Sequence, residues 1–163
     1  MTIQFSAKNF PKTDLQNAKL AKPSLKNLLA QNTDCLVLGF SKTDLDGFVG
    51  GKGGKAKSGF LLELDSLLGG AVANTYSLGD LEAKQGSHCL LRADKSWSAN
   101  GVKAKRVLLL GIGDIQSDAD KKLLAYSKVA RAGLKALSGG SIENALWFTP
   151  SLSLAKQAAE IAQ

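Results

Sequence analysis

The stretch Asp34-Cys-Leu-Val-Leu-Gly-Phe40 is an unbroken apolar run bounded by polar residues. Strict alternation would mark a strand with one wet face, whereas a continuous run of this length marks a strand covered on both faces, inside a sheet with helices above and below. A second run of the same kind, Val107-Leu-Leu-Leu110, lies within Lys105-Arg-Val-Leu-Leu-Leu-Gly-Ile-Gly-Asp114. Working outward, Ser87 to Ala93 reads as a third strand. The polar segment Asp94 to Gly101 before the second run ends in Asn100-Gly101, a strong hairpin signal, so these two strands are expected to be antiparallel neighbours. Ile142 to Phe148 is a further strand, and Ile3 to Ala7 an early one with Ile3, Phe5 and Ala7 on one face.

Between the strands lie helical patterns. Phe60 to Tyr76 carries Leu61, Leu64, Leu68 and Val72 at helical spacing, interrupted by Gly69-Gly70, and Gly79-Asp80 then turns the chain. Ser117 with Asp120 three residues on reads as a cap for a helix with Leu123, Ala130, Leu134 and Leu137 as its apolar stripe. Lys128, Arg131 and Lys135 fall on its opposite face, and Gly139-Gly140 ends it. Leu20 to Leu29 stays ambiguous, and Ser151 to Gln163 starts another helix after Pro150. Strands alternating with helices, with one antiparallel pair, predict an α/β fold: a mixed sheet flanked by helices on both faces.

The chain has 163 residues, a length that suits one domain, with 44% hydrophobic and 21% charged residues, so a core can form without disulfides or a structural metal. The start lacks the basic cap and apolar stretch of a signal peptide, and no segment nears the roughly 20 apolar residues that span a bilayer. Cys35 and Cys89 sit in apolar runs without C-x-x-C spacing and read as buried free thiols in a reducing compartment. A cytoplasmic protein without membrane contact is expected. The net charge is +7, which attracts polyanions and raises DNA as a partner. The cations are mostly scattered lysines, with only three arginines (Arg92, Arg106 and Arg131), so a solvated basic surface is the better account of the charge.

From Asp46 to Gly59 fall six glycines and three lysines, with almost no large apolar residue between Val49 and Phe60, which predicts a flexible basic loop. Gly51-Lys-Gly53-Gly-Lys-Ala56 fits a loose dinucleotide pattern, but the preceding strand ends near Phe40, too early to feed it. As a phosphate-binding loop, Gly50 to Lys55 has one residue too few between the glycine and the Gly-Lys pair, with Ala56 where a metal-binding hydroxyl belongs. Gly111 and Gly113 end a strand and lead towards a helix, so their backbone could approach an anion or simply turn the chain. The candidate anion-binding set is therefore Gly111, Gly113, Lys52, Lys55 and Lys57.

Catalytic constellations are missing. His88 is the only histidine, and Cys89 beside it points to the other face of its strand, which is too little for zinc. Asp44 and Asp46, or Asp118 and Asp120, read more naturally as turn and cap residues than as a cation site. Ser153-Leu-Ala-Lys156 has the S-x-x-K spacing without its companion motifs, and no G-x-S-x-G elbow is present.

The order of the elements resembles the amino-terminal domain of the leucyl aminopeptidase (cytosol aminopeptidase) family. The residues that carry the likeness are the strand Asp34 to Phe40, the passage Leu78-Gly-Asp-Leu-Glu-Ala-Lys-Gln-Gly86 with its Gly-x-x-x-x-Lys-x-Gly rhythm, and the strand His88 to Arg92. Lys105 to Asp114, the helix Asp118 to Leu137 and the strand Ala145 to Phe148 complete the order, while the loop Gly47 to Gly59 departs from it. The resemblance implies a macro-domain-like fold and residues 1–163 as a single amino-terminal domain. It implies a separate carboxy-terminal catalytic domain holding two divalent metals, zinc or manganese, in a homohexameric metalloaminopeptidase. The metal-ligand motif Asn-Thr-Asp-Ala-Glu-Gly-Arg of that second domain does not occur in this chain, so no catalytic residue and no cofactor are assigned to it. The domain is expected to serve assembly or access, with a nucleic-acid or ADP-ribose-type nucleotide module as the alternative.

Overall fold

A computed structural model describes residues 24–50, 59–114, 119–138 and 141–148, with the side chains of 119–123 left aside. Four strands form one sheet in the order β2-β3-β1-β4: β1 (Cys35–Ser41), β2 (His88–Arg92), β3 (Arg106–Gly113) and β4 (Ala145–Phe148). β1 lies parallel to both β3 and β4, with Leu38 opposite Leu109 and Phe148, and β2 runs antiparallel to β3. The mixed α/β sheet expected from the apolar runs is the one observed. The antiparallel pairing of the strands at 88 and 106 is observed as well.

Because strand side chains alternate, every second residue of the apolar runs serves a different core. Leu36, Leu38, Phe40, Val107 and Leu109 face one side; Cys35, Val37, Leu108 and Leu110 face the other, all of them buried. The first side is covered by α1 (Leu25–Leu29), α2 (Lys42–Val49), α3 (Phe60–Leu67), α4 (Ala71–Ser77) and α5 (Lys95–Ala99). The second is covered by α6 (Ala119–Ser138). Helices thus lie on both faces.

Local chemistry sets where these helices start and stop. Ser41 ends β1 and caps α2: its hydroxyl accepts the Asp44 amide at 3.2 Å while Asp44 accepts the Ser41 amide at 2.7 Å. The reciprocal cap extends order to Val49, so the part of the expected loop from Asp46 to Val49 is helix, and 51–58 lie outside the described residues. The pattern from Phe60 to Tyr76 is two helices, because Gly69 and Gly70 take positive φ values of 63° and 87°. Asp65 holds the break by accepting the Ala73 amide at 2.8 Å.

The segment Asp94 to Gly101 is the main correction. It is not a hairpin turn but contains α5, whose cap is Asp94 accepting the Ser96 and Trp97 amides at 2.8 and 3.3 Å. The short helix exists to seat Trp97, which is 1% exposed among the leucines of the first core. Asn100 donates its side-chain amide to the Leu67 carbonyl at 2.9 Å, covering the end of α3. A second correction concerns α6. Leu134 and Ala130 are exposed, and the helix meets the sheet through Val129, Ala132, Gly133, Ala136 and Leu137. A Cβ on Gly133 would run into the Trp147 ring, so the missing side chain admits the indole. Lys128, Arg131 and Lys135 do lie exposed, as expected for the far face. The cap at Ser117, the Gly139-Gly140 stop, the side chain of Leu123, the strand at Ile3 to Ala7 and the segment Ser151 to Gln163 fall outside the description. None of the described helices is long and apolar enough to cross a membrane.

Candidate functional site

The parallel strands give the sheet two different ends. At the carboxy-terminal end of β3 a shallow cleft of about 420 Å³ is lined by Gln85, Ile112, Gly113, Asp114, Leu124 and Lys128, among others. Crevices outside the carboxyl ends of parallel strands are the usual ligand positions in such sheets. Its floor is made by the passage before β2. The Gly113 amide donates to the Ala83 carbonyl at 2.9 Å, the Gly111 amide to the Ser87 carbonyl at 2.8 Å, and the Gly86 amide to the Gly111 carbonyl at 2.9 Å.

Ser87 closes the passage on itself, its hydroxyl donating to the Lys84 carbonyl at 2.6 Å. A Cβ on Gly111 would strike the Lys84 carbonyl and the Ser87 hydroxyl, so only glycine permits this approach. The amides of Gly111 and Gly113 are therefore spent within the fold and are not presented to an anion. The other three candidates, Lys52, Lys55 and Lys57, lie outside the described residues.

At the opposite end, Asp34 joins three segments. Its Oδ1 accepts the Lys105 ammonium at 2.7 Å, and its Oδ2 accepts the Glu143 and Asn144 amides at 3.0 and 3.2 Å. Asn144 replies through Oδ1, which accepts the Asp34 amide and the Thr33 hydroxyl, both at 2.9 Å. The hydrogen bond from Lys105 and the two backbone amides outweigh desolvation and hold the Asp34 carboxyl down at about 2. The sequence reading missed this latch; the cue was an acidic residue directly before a fully apolar strand, with a lysine directly before the parallel one. Both Asp34 carboxylate oxygens and both polar atoms of the Asn144 side chain have partners, the arrangement of a structural tie.

The remaining reactive groups are dispersed. His88 is exposed with Nδ1 3.4 Å from the Gly86 carbonyl, and Cys35 and Cys89 lie under opposite faces of the sheet. Burial pushes the Cys35 thiol up to about 11 and raises Cys89 as well, the Thr75 hydroxyl opposing the latter shift. Cys89 is half-buried, more open than the buried thiol expected. Among the described residues no three His, Cys, Asp or Glu side chains converge as metal ligands would.

The model for the amino-terminal domain of the cytosol aminopeptidase family matches residues 47–163. The chain belongs to the cytosol aminopeptidase family. A probable cytosol aminopeptidase of Cupriavidus metallidurans is 33% identical over 128 residues, covering 78% of this chain and 21% of the relative. One from Ralstonia nicotianae is 35% identical over 127 residues with the same coverage. The chain thus spans about a fifth of the length of these relatives. A solved tomato leucine aminopeptidase variant superposes with a TM-score of 0.55 over 76% of this chain and 21% of its own, at 23% identity, and shows the shared fold. Both passages that meet at the cleft, Leu78 to Gly86 and Lys105 to Asp114, lie inside the matched family region.

Proposed function

We propose that residues 1–163 are a single, non-catalytic amino-terminal domain of a metal-dependent leucyl aminopeptidase, serving assembly or substrate access. The observation that carries this reading is the pairing of the amino-terminal family model with a coverage of only 21% of the relatives. In this reading the two divalent metals, zinc or manganese, belong to a carboxy-terminal catalytic domain. The described residues supply no cluster fit to hold them, so no chemical step is assigned to this chain. The parent enzyme would be cytoplasmic, hexameric and built on a macro-like first domain, and would release amino-terminal residues such as leucine.

The test compares the 163-residue chain with a protein carrying the relatives' second domain behind it, each assayed on a leucyl amide with added manganese or zinc. Turnover by the longer protein alone is expected. Turnover by the short chain, with a metal dependence of its own, would end the non-catalytic assignment. Sedimentation of the longer protein reads the hexamer. The net charge of +7 favours a second reading, in which the domain also holds DNA; retention on a duplex should then fall steeply with salt, and no retention at low salt removes it.

A further inference from the structure

Arg92 and Arg106 stand directly opposite each other on β2 and β3. The hydrogen bonds of this pair of strands fix which kind of position that is. Ala93 donates to Lys105 at 3.0 Å and Gly111 to Ser87 at 2.8 Å, so the hydrogen-bonded positions are the odd-numbered ones. Arg92 and Arg106 fall between them, where opposing side chains lie closest. Both rise from the face that carries Leu90 and Leu108, which pack in the core under α6. The Arg106 charge also reaches the Cys35 thiol on that face.

Two like charges at such a position repel. No acidic side chain relieves them: among the described residues neither arginine has an ion pair or a side-chain hydrogen bond. Asp94, the acid nearest Arg92 in sequence, is committed to the cap of α5, and Asp34, just before β1, to Lys105 and the amides of 143 and 144. Lys103 adds a further cation at the strand ends, where it lines a cleft of about 490 Å³ together with Ala93 and the Asp34-paired Lys105. Arg106 is half-buried and Arg92 is exposed. Two of the three arginines of the chain are spent on this one pair.

We propose that Arg92 and Arg106 form a clamp for a phosphate group, either free phosphate or the phosphate of a small molecule. Paired guanidinium forks match the charge and the spread oxygens of a phosphate, and a dianion neutralises both cations at once. The site lies on the α6 side of the sheet, remote from the glycine-rich end of β3, and does not depend on the aminopeptidase reading.

With only three arginines, the Nε–Hε signals of the 163-residue chain form a small, assignable set. Inorganic phosphate and glycerol phosphate are titrated separately at constant ionic strength held with sodium chloride. The Arg92 and Arg106 signals should move together and saturate while Arg131 stays still. The melting temperature should rise with phosphate in the wild type and in Arg131→Gln. The midpoint of that rise should move about tenfold higher, or vanish, in Arg92→Gln and Arg106→Gln. Without phosphate, Arg92→Gln should melt no lower than the wild type, because the repulsion has gone. Saturation by glycerol phosphate at lower concentration assigns the clamp to phosphorylated small molecules, and equal midpoints assign it to free phosphate. The proposal fails if the three arginine signals shift alike or none moves, or if Arg92→Gln responds to phosphate as the wild type does.

Discussion

The two faces of the sheet are covered in opposite ways. Five helices of five to eight residues tile one face, each stopped by a glycine, a cap or a turn, and large side chains fill the depth beneath them: Trp97, Phe40, Phe48 and a set of leucines. One helix of 20 residues lies across the other face and comes close through Ala132, Gly133 and Ala136, with Trp147 entering where Gly133 has no side chain. The first face is held by filling, the second by approach. Filled faces suffer when a side chain is cut back, and close-approach faces suffer when one is added.

The sharpest way to break the filled face is Trp97→Ala, expected to cost about 3–5 kcal/mol in urea unfolding. Trp97 Nε1 is buried without a hydrogen-bond partner, so Trp97→Phe, which removes that orphaned donor along with part of the ring, should cost less than half as much. Equal losses would mean that the indole N–H is satisfied.

On the close-approach face the sign reverses. Gly133→Leu should cost about 1–3 kcal/mol through overpacking against Trp147 and Leu110. The cleaner probe is Gly133→Ala made with and without Trp147→Leu. With the indole present the added methyl should destabilise; with it gone, the better helix former should recover up to about 1 kcal/mol. If the two substitutions are additive, Gly133 is not there to admit the ring.

The two thiols report on the faces separately. Cys35, fully buried under α6 and raised to about 11, should react with an aromatic disulfide reagent only when that face opens. Cys89, half-buried on the tiled side, should be labelled first. Simultaneous labelling would mean that both faces open in one event.

The smallest effect expected comes from acid. The Asp34 carboxyl lies below its ordinary value of 3.8, at about 2, so the folded state binds fewer protons there than the unfolded state. Its contribution is fully present above pH 4 and fades as the pH falls through 2. The urea midpoint of Asp34→Asn should therefore vary less between pH 5 and about 2.5 than that of the wild type. Parallel pH profiles would assign the latch no electrostatic role.

Much of this was legible in the residues. The runs at 34–40 and 107–110 marked strands covered on both sides because nothing polar interrupted them. What stayed hidden depended on partners far along the chain. Asn100-Gly101 carried a strong local hairpin signal, yet Asn100 serves the end of α3, and the segment holds a helix whose purpose, seating Trp97, appears only in three dimensions. The α6 stripe was right at Leu137 and misplaced at Ala130 and Leu134, because this interface also selects for small size at Ala132, Gly133 and Ala136. Gly111 and Gly113 offered backbone freedom, and only the register with Ala83 and Ser87 shows it used for stitching. The capping box Ser41 to Asp44 was readable and would have moved the loop boundary to Val49.

The Asp34 latch has a consequence for how the chain acquires its shape during synthesis. The carboxylate emerges early, but its partners are Lys105 and then the amides of Glu143 and Asn144, 109 and 110 residues further on. β1 must likewise wait for β3 and then β4, since among the described residues these are the strands it pairs with. A nascent chain that has reached only β2 therefore holds an apolar strand with neither of its sheet neighbours, the kind of exposed edge that chaperones cover. A circular permutation that opens the chain just before residue 141 would deliver β4 first and shorten that vulnerable interval, with the parallel pairing of β1 to β3 and β4 as the expected end state.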